Sequence, residues 1–158
     1  MVGEEKFRRV MGYFATGVTV VASRTGDGVP VGLTVNAFTS VSLDPPLILV
    51  CLHRKADAHD SLVAAGHFGV SVLTADQGGL AIRFSQDAPG IRFRELPVDE
   101  GILGSPLIPH SIAWLECRIR QVHPGGDHSI IVAEVVDCGS GEGEPLLFFK
   151  GMLKGQGL

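Results

Sequence analysis

The chain has 158 residues, 45% of them hydrophobic and 19% charged, and carries a formal net charge of −4. A chain of this length suits one domain that buries roughly 68–70% of its unfolded surface without cross-links, and this composition excludes a charged, disordered polymer. The basic residues are scattered apart from short pairs such as Arg8–Arg9 and Arg54–Lys55, which excludes the electrostatic footprint of a nucleic-acid-binding domain.

Phe7, Val10, Met11 and Phe14 recur at i, i+3, i+4 and i+7, behind Glu4 and Glu5 at the positive end of the helix dipole. They predict an opening amphipathic helix that ends near Gly17. Residues 19–22 and 29–35 are β-branched runs split by Thr25-Gly26-Asp27-Gly28, whose glycines supply the positive φ angles of a hairpin turn. Residues 38–43 alternate and stop at Asp44-Pro45-Pro46, a corner, before a buried strand over residues 47–52. Ala58, Leu62 and Ala65 stand at helical spacing behind Asp57, the expected N-cap, and Gly66 ends that helix. A strand over residues 68–73 follows, then a second short helix capped by Asp76 and running to about Phe84.

Residues 85–110 form a long irregular stretch, and loops of that length are expected to be functional or to lie at an interface. Strands over residues 112–122, 130–136 and 146–149 complete the sheet, joined by the turn His123-Pro124-Gly125-Gly126-Asp127-His128 and a Gly-Glu-rich turn at residues 139–145. Dominant strands, frequent hairpins and few helices favour a mainly β fold, an antiparallel barrel, closed or split, over a doubly wound parallel sheet.

The cysteines Cys51, Cys117 and Cys138 are odd in number and widely spaced, so no disulfide framework or C-x-x-C motif can be drawn and a reducing cytoplasm is the natural compartment. The first ten residues carry five charges and no apolar run, which does not suit a secretory signal. The longest uncharged stretch, residues 28–43, is too short and too polar to span a bilayer, so no membrane partner is expected. No G-x-S-x-G, H-E-x-x-H or P-loop pattern occurs. His53 and His59, or His123 and His128, lack a carboxylate or thiolate at known ligand spacing, and no metal site is expected.

Two segments carry a chemical signal. In Cys51-Leu52-His53-Arg54-Lys55-Ala56-Asp57 a strand runs into a basic pair at a predicted helix N-terminus, where free N–H groups, the helix dipole and two cations would hold a phosphate. The competing reading is a basic pair that merely solvates a loop. In Thr34-Val35-Asn36-Ala37-Phe38-Thr39-Ser40, short polar residues between apolar strands could satisfy the edge of a heteroaromatic ring, with Phe38 and Leu52 as walls. Here the competing reading is an ordinary strand–turn.

The stretches F-A-T-G-V-T-V-V from Phe14, V-G-L-T-V-N-A-F-T-S-V-S-L-D-P-P-L from Val31, F-G-V-S-V-L from Phe68, A-W-L-E-C from Ala113 and G-G-D-H from Gly125, taken in order, resemble the short-chain flavin reductase family. Its members are reductase components of two-component flavin monooxygenases. The resemblance implies one domain over residues 4–154, an FMN-binding split β-barrel of Greek-key type, and a homodimer with flavin bound near the subunit interface. It implies hydride transfer from NADH, with NADPH as the alternative, to FMN or FAD, and delivery of reduced flavin to a partner monooxygenase.

By that resemblance Thr34, Val35, Asn36, Ala37, Phe38 and Ser40 line the isoalloxazine, with Cys51 and Leu52 beside it. His53, Arg54, Lys55, Ala56 and Ser61 surround the phosphate tail, which Arg83 also reaches. His128, with Phe149 and Lys150, meets the nicotinamide. No side chain serves as acid or base; backbone N–H groups of residues 36–38 would face the charge that develops on the pyrimidine edge. The chain departs from the family at Asn36-Ala37-Phe38, where many members read N-S-F, and at Phe149-Lys150-Gly151, where Tyr or His followed by Arg and Gly is usual. Two other readings stay open: the same fold with tightly held flavin reducing a corrinoid, ferric iron or a quinone, and a flavin-binding module without turnover.

Overall fold

The computed structural model describes residues 1–155. In chain order its elements are α1 (Glu4–Met11), β1 (Thr16–Gly17), β2 (Thr19–Arg24), β3 (Pro30–Val35), β4 (Phe38–Leu43), β5 (Pro46–His53), α2 (His59–Ala65), β6 (His67–Val72), α3 (Gly78–Gln86), a 3-10 turn (Pro89–Ile91), β7 (Asp99–Glu100), β8 (Pro106–Leu107), β9 (Ala113–Gly125), β10 (His128–Ser140), β11 (Leu147–Phe149) and β12 (Met152–Lys154). Among these residues no helix is long and apolar enough to cross a membrane.

Seven strands form one sheet in the order β3-β2-β6-β9-β10-β5-β4, each neighbour antiparallel. One core cluster takes Val21 from β2, Val35 from β3, Val50 and Leu52 from β5, Phe68 and Val70 from β6, Cys117 from β9 and Ile131 and Ala133 from β10, with Phe38 of β4 packed against it. A sheet whose every strand contributes to one interior has curled on itself, and period-2 alternation puts these residues on its inner face. Its edges, β3 and β4, are consecutive in the chain and joined by Asn36 and Ala37, yet they do not pair. The barrel is therefore split at the polar run. Ala58 and Leu62 of the α2 region close one end of it.

The opposite face of β2 is buried too. Val18, Val20 and Ala22 pack with Ala81 and Phe84 of α3, Ile108 and Leu146, against which Phe148 and Leu153 lie. β1, β11 and β12 make a separate three-stranded sheet on this outer layer.

Several expectations are corrected here. α1 stops at Met11 rather than near Gly17: the Gly12 N–H closes on Arg8 O, and Gly12 O accepts the Lys150 N–H at 2.8 Å. Of the two hairpin glycines only Gly28 takes a positive φ, 80°. Asp57 does not cap α2, which begins after Ala58; its carboxylate instead receives a two-pronged bond from Arg92 at 2.8 and 2.9 Å. Asp76 does not cap α3 either, since Gln77 is the cap residue and Asp76 accepts a bond from the Thr74 hydroxyl. Asp57 found a partner 35 residues on, and Asp76 one two residues back in the chain, in place of the helix amides.

The segment 85–110 is pinned rather than loose. Arg92, 6% exposed, also donates to Gly32 O and Asp87 O. Glu116, fully buried in β9, accepts the N–H groups of Leu103 and Ser105, each at 3.0 Å. The β9–β10 hairpin runs longer than predicted, out to Ser140, and absorbs its extra residues in two bulges.

Candidate functional site

A cleft of about 530 Å³ lies beside Thr34 and Asn36, on the outer side of the β3 edge of the split. Its other walls are Ala81, Ile82, Ser85 and Gln86 of the α3 helix, Val18, and Phe148, Gly151, Met152 and Leu153 of the β11–β12 hairpin. Mostly apolar walls with a few polar groups at one side suit a planar heteroaromatic ring, and the volume lies in the range of small-ligand sites. Gly151, at the hairpin tip with φ 74°, has open space where a Cβ would stand, so a ring face can lie against the backbone there.

Thr34 is oriented by its own bond: the hydroxyl donates to Ala81 O at 2.6 Å, tying the free edge of β3 to α3. The Asn36 amide is exposed and donates to the Thr16 hydroxyl at 3.3 Å. The N–H of Phe38 is engaged by Asn36 O at 3.0 Å, which removes it from the expected set of three free donors. Those of Asn36 and Ala37 have no acceptor among the described residues. Val35, 5% exposed, and Leu52, 2% exposed, point into the barrel, so only their backbone faces outward. Ser40 is exposed on the β4 edge, and Cys51 is half-buried on β5, where burial pushes its thiol pKa up.

The basic turn differs from the predicted helix N-terminus. α2 begins at His59, and the amides that were to face an anion are already used: Arg54 N–H donates to Asp127 O, Lys55 N–H to Nδ1 of His53 and Ala56 N–H to His53 O. The Arg54 and Lys55 side chains remain exposed, with no carboxylate partner among the described residues. Ala56 and Ser61 are half-buried close by in the chain. Arg83 donates to the carbonyls of Ile91 and Arg94, which commits its guanidinium to the segment 85–110.

The second polar centre is the β9–β10 turn. Register places His128 of β10 opposite His53 of β5, with ring centroids 5.1 Å apart. Asp127 accepts from Nδ1 of His128 at 2.7 Å and lies 3.7 Å from Nε2 of His53. The hydrogen bond from His128, first, and the nearby imidazoles hold the Asp127 carboxyl below its ordinary 3.8. Because a carboxylate only accepts, His128 carries a proton on Nδ1, and the neutral ring then keeps its lone pair on Nε2. Sequence reading named His128 and overlooked Asp127, although the G-G-D-H run contains both.

His128 does not line the cleft, and Phe149 and Lys150 belong to the small outer sheet beside α1. Within one chain the three residues expected at the nicotinamide are thus divided between two places. Sequence reading also missed Ile82, Ser85 and Gln86, whose only signal was their position on one exposed turn of α3.

A third arrangement, Ser129 Oγ 2.9 Å from Nε2 of His59 and Asp60 2.7 Å from its Nδ1, has the connectivity of a nucleophile, base and orienting acid. Ser129 is 5% exposed on the inner face of β10, so no substrate carbonyl reaches it. The bond ties α2 to the barrel.

Comparison with known proteins gives a consistent picture. The profile of the flavin reductase like domain family matches residues 11–156. The chain is 44% identical over 145 residues to an FMN reductase (NADH) of Agrobacterium fabrum, covering 92% of this chain and 82% of that protein. It is 41% identical over 147 residues to the reductase component of a 4-nitrophenol 4-monooxygenase/4-nitrocatechol 2-monooxygenase of Rhodococcus opacus, covering 92% and 77%. Among solved structures, the NADH:FAD oxidoreductase SgcE6 of Streptomyces globisporus superimposes with a TM-score of 0.91 at 39% identity, covering 100% of this chain and 98% of that one.

Proposed function

The chain belongs to the flavin reductase like domain family, and from that premise we propose that it is an NAD(P)H:flavin oxidoreductase which passes hydride from NADH to FMN or FAD. The observation that carries this reading is the cleft at the barrel split, with Thr34 and Asn36 on one side and open backbone at Gly151 on the other. The reading takes in residues 4–154 as one flavin-binding domain.

A bound flavin would supply the redox chemistry as the acceptor of the nicotinamide hydride. The protein has to hold two rings in contact and needs no acid or base of its own. Thr34 and Asn36 flank the polar edge of the ring, and the free N–H groups of Asn36 and Ala37 face the charge that develops there. Val18, Ile82 and Phe148 exclude water from its apolar body. Ser40, Cys51 and the backbone of Val35 and Leu52 complete that neighbourhood. Arg54 and Lys55 supply the cations for a terminal phosphate, with Ala56 and Ser61 at the edge and Arg83 bracing the segment behind. His128, fixed by Asp127, lies outside the cleft of its own chain and would offer its Nε2 lone pair to the carboxamide NH2 of a nicotinamide seated at the second chain's cleft in a dimer, where Phe149 and Lys150 would flank the dinucleotide.

The active species is a homodimer. Two unpaired barrel edges, with Leu43 95% and Val41 49% exposed on β4, and the exposed apolar residues Phe7, Val10 and Met11 of α1 all call for cover. Light scattering at working concentration tests this, and a monomer would contradict it.

Reduced flavin serves a partner monooxygenase, as the name of the Rhodococcus opacus relative says of that protein. The cytoplasm, where reduced nicotinamide is made and where three free cysteines stay reduced, is the compartment this reading requires. NADH oxidation assayed with FMN, FAD and riboflavin tests the activity.

A further inference from the structure

The structure assigns a second recess, of about 310 Å³, to an adenosine phosphate group. It is lined by Arg8, Arg9, Gly12, Tyr13, Lys150 and Gly151, and Gly151 is shared with the cleft at the barrel split. Three cations and no carboxylate face it. Arg8 is paired with Glu4, whereas Arg9 and Lys150 have no carboxylate partner among the described residues.

The recess is built rather than accidental. The Lys150 N–H donates to Gly12 O at 2.8 Å, which ties the β11–β12 hairpin to the end of α1. Lys150 takes a left-handed φ of 52° that a lysine adopts only under constraint. That conformation sets its Nζ 4.8 Å from the Tyr13 ring centroid and 5.3 Å from that of Phe149, with the two rings edge to face. Cations beside an exposed aromatic face match a purine that stacks and a phosphate that takes charge-assisted bonds.

Resting on the flavin reductase reading, the inference is that a dinucleotide places its redox ring in the cleft and its adenosine phosphate end over the Gly151 turn in this recess. Both FAD and the nicotinamide dinucleotide carry such an end, and FMN and riboflavin carry none.

The test is calorimetric titration of the 158-residue chain with ADP-ribose, FAD, FMN and NADH, in wild type, Arg9→Ala and Tyr13→Ala. The inference predicts that wild type binds ADP-ribose and that each variant weakens it about tenfold while FMN affinity changes less than twofold. A matching loss for FAD identifies flavin as the source, and a matching loss for NADH identifies the nicotinamide dinucleotide. No ADP-ribose binding, or ADP-ribose affinity unchanged in both variants, overturns the inference even where FMN binds and is reduced normally. Failure of FMN to bind wild type would instead strike at the flavin reading itself.

Discussion

One carboxylate, that of Asp127, holds Nδ1 of His128 at 2.7 Å while its other oxygen lies 3.7 Å from Nε2 of His53, so two imidazoles from neighbouring strands share a single anchor. The anchor exists because β5 and β10 pair with His53 directly opposite His128.

His128→Ala should raise the KM for NADH about tenfold, the worth of one good hydrogen bond, and change flavin affinity little. Asp127→Ala should reproduce the direction at smaller size, because the ring remains but loses its fixed tautomer, and Asp127→Asn should restore part of the loss. Equal changes in the NADH and flavin constants would remove both residues from the nicotinamide site.

The same pair sets a pH expectation. The Asp127 carboxyl titrates below its ordinary 3.8 in the folded chain, chiefly through the bond from His128. A depressed carboxyl contributes its tie above the unfolded value and loses it as pH falls through the folded one. The tie from Asp127 should therefore persist from neutral pH down to about 4, and the Asp127 carboxyl, followed by NMR, should titrate higher in His128→Ala than in wild type.

Lys55→Ala should weaken FMN several-fold more than riboflavin, since an exposed cation contributes only where a phosphate meets it. Fluorescence titration with the two flavins checks this. An unchanged ratio would leave Lys55 as a solvated turn residue.

Much of the barrel was legible in the sequence because residues 19–22 and 47–52 are β-branched or apolar runs bounded by Gly, Pro and Asp, and such runs have few alternatives. β1 and β12, two and three residues long, are too short to carry any period, yet the sheet they form with β11 brings Phe148 and Leu153 to the cleft. Asp57 read as a cap because capping is local, whereas its partner Arg92 stands 35 residues on. The polar run at Asn36 was visible as composition. That it bridges two unpaired edges depends on strand order, which no local pattern encodes.

Glu116→Ala should lower stability by about 3 kcal/mol, because it strands the half-buried amide of Leu103 and the buried amide of Ser105 and leaves a cavity in place of the carboxylate. Urea melts check the loss. Glu116→Gln keeps one acceptor oxygen and should lose less.

The three thiols should react in a fixed order. Cys138 is exposed and reacts first; Cys51 is half-buried; Cys117 is fully buried, and its thiol is pushed up to about 12 by burial first and by the neighbouring Glu116 second. Labelling with an aromatic disulfide should modify Cys117 only at the rate of global unfolding.

The central claim is tested most directly by the initial rate of NADH oxidation with and without added FMN. The account predicts a negligible rate without flavin and a saturating rise with FMN that is lost in parallel with FMN binding when Asn36 is replaced by a bulky residue. Absence of NADH oxidation with FMN, FAD and riboflavin alike, by protein that binds flavin, would contradict it.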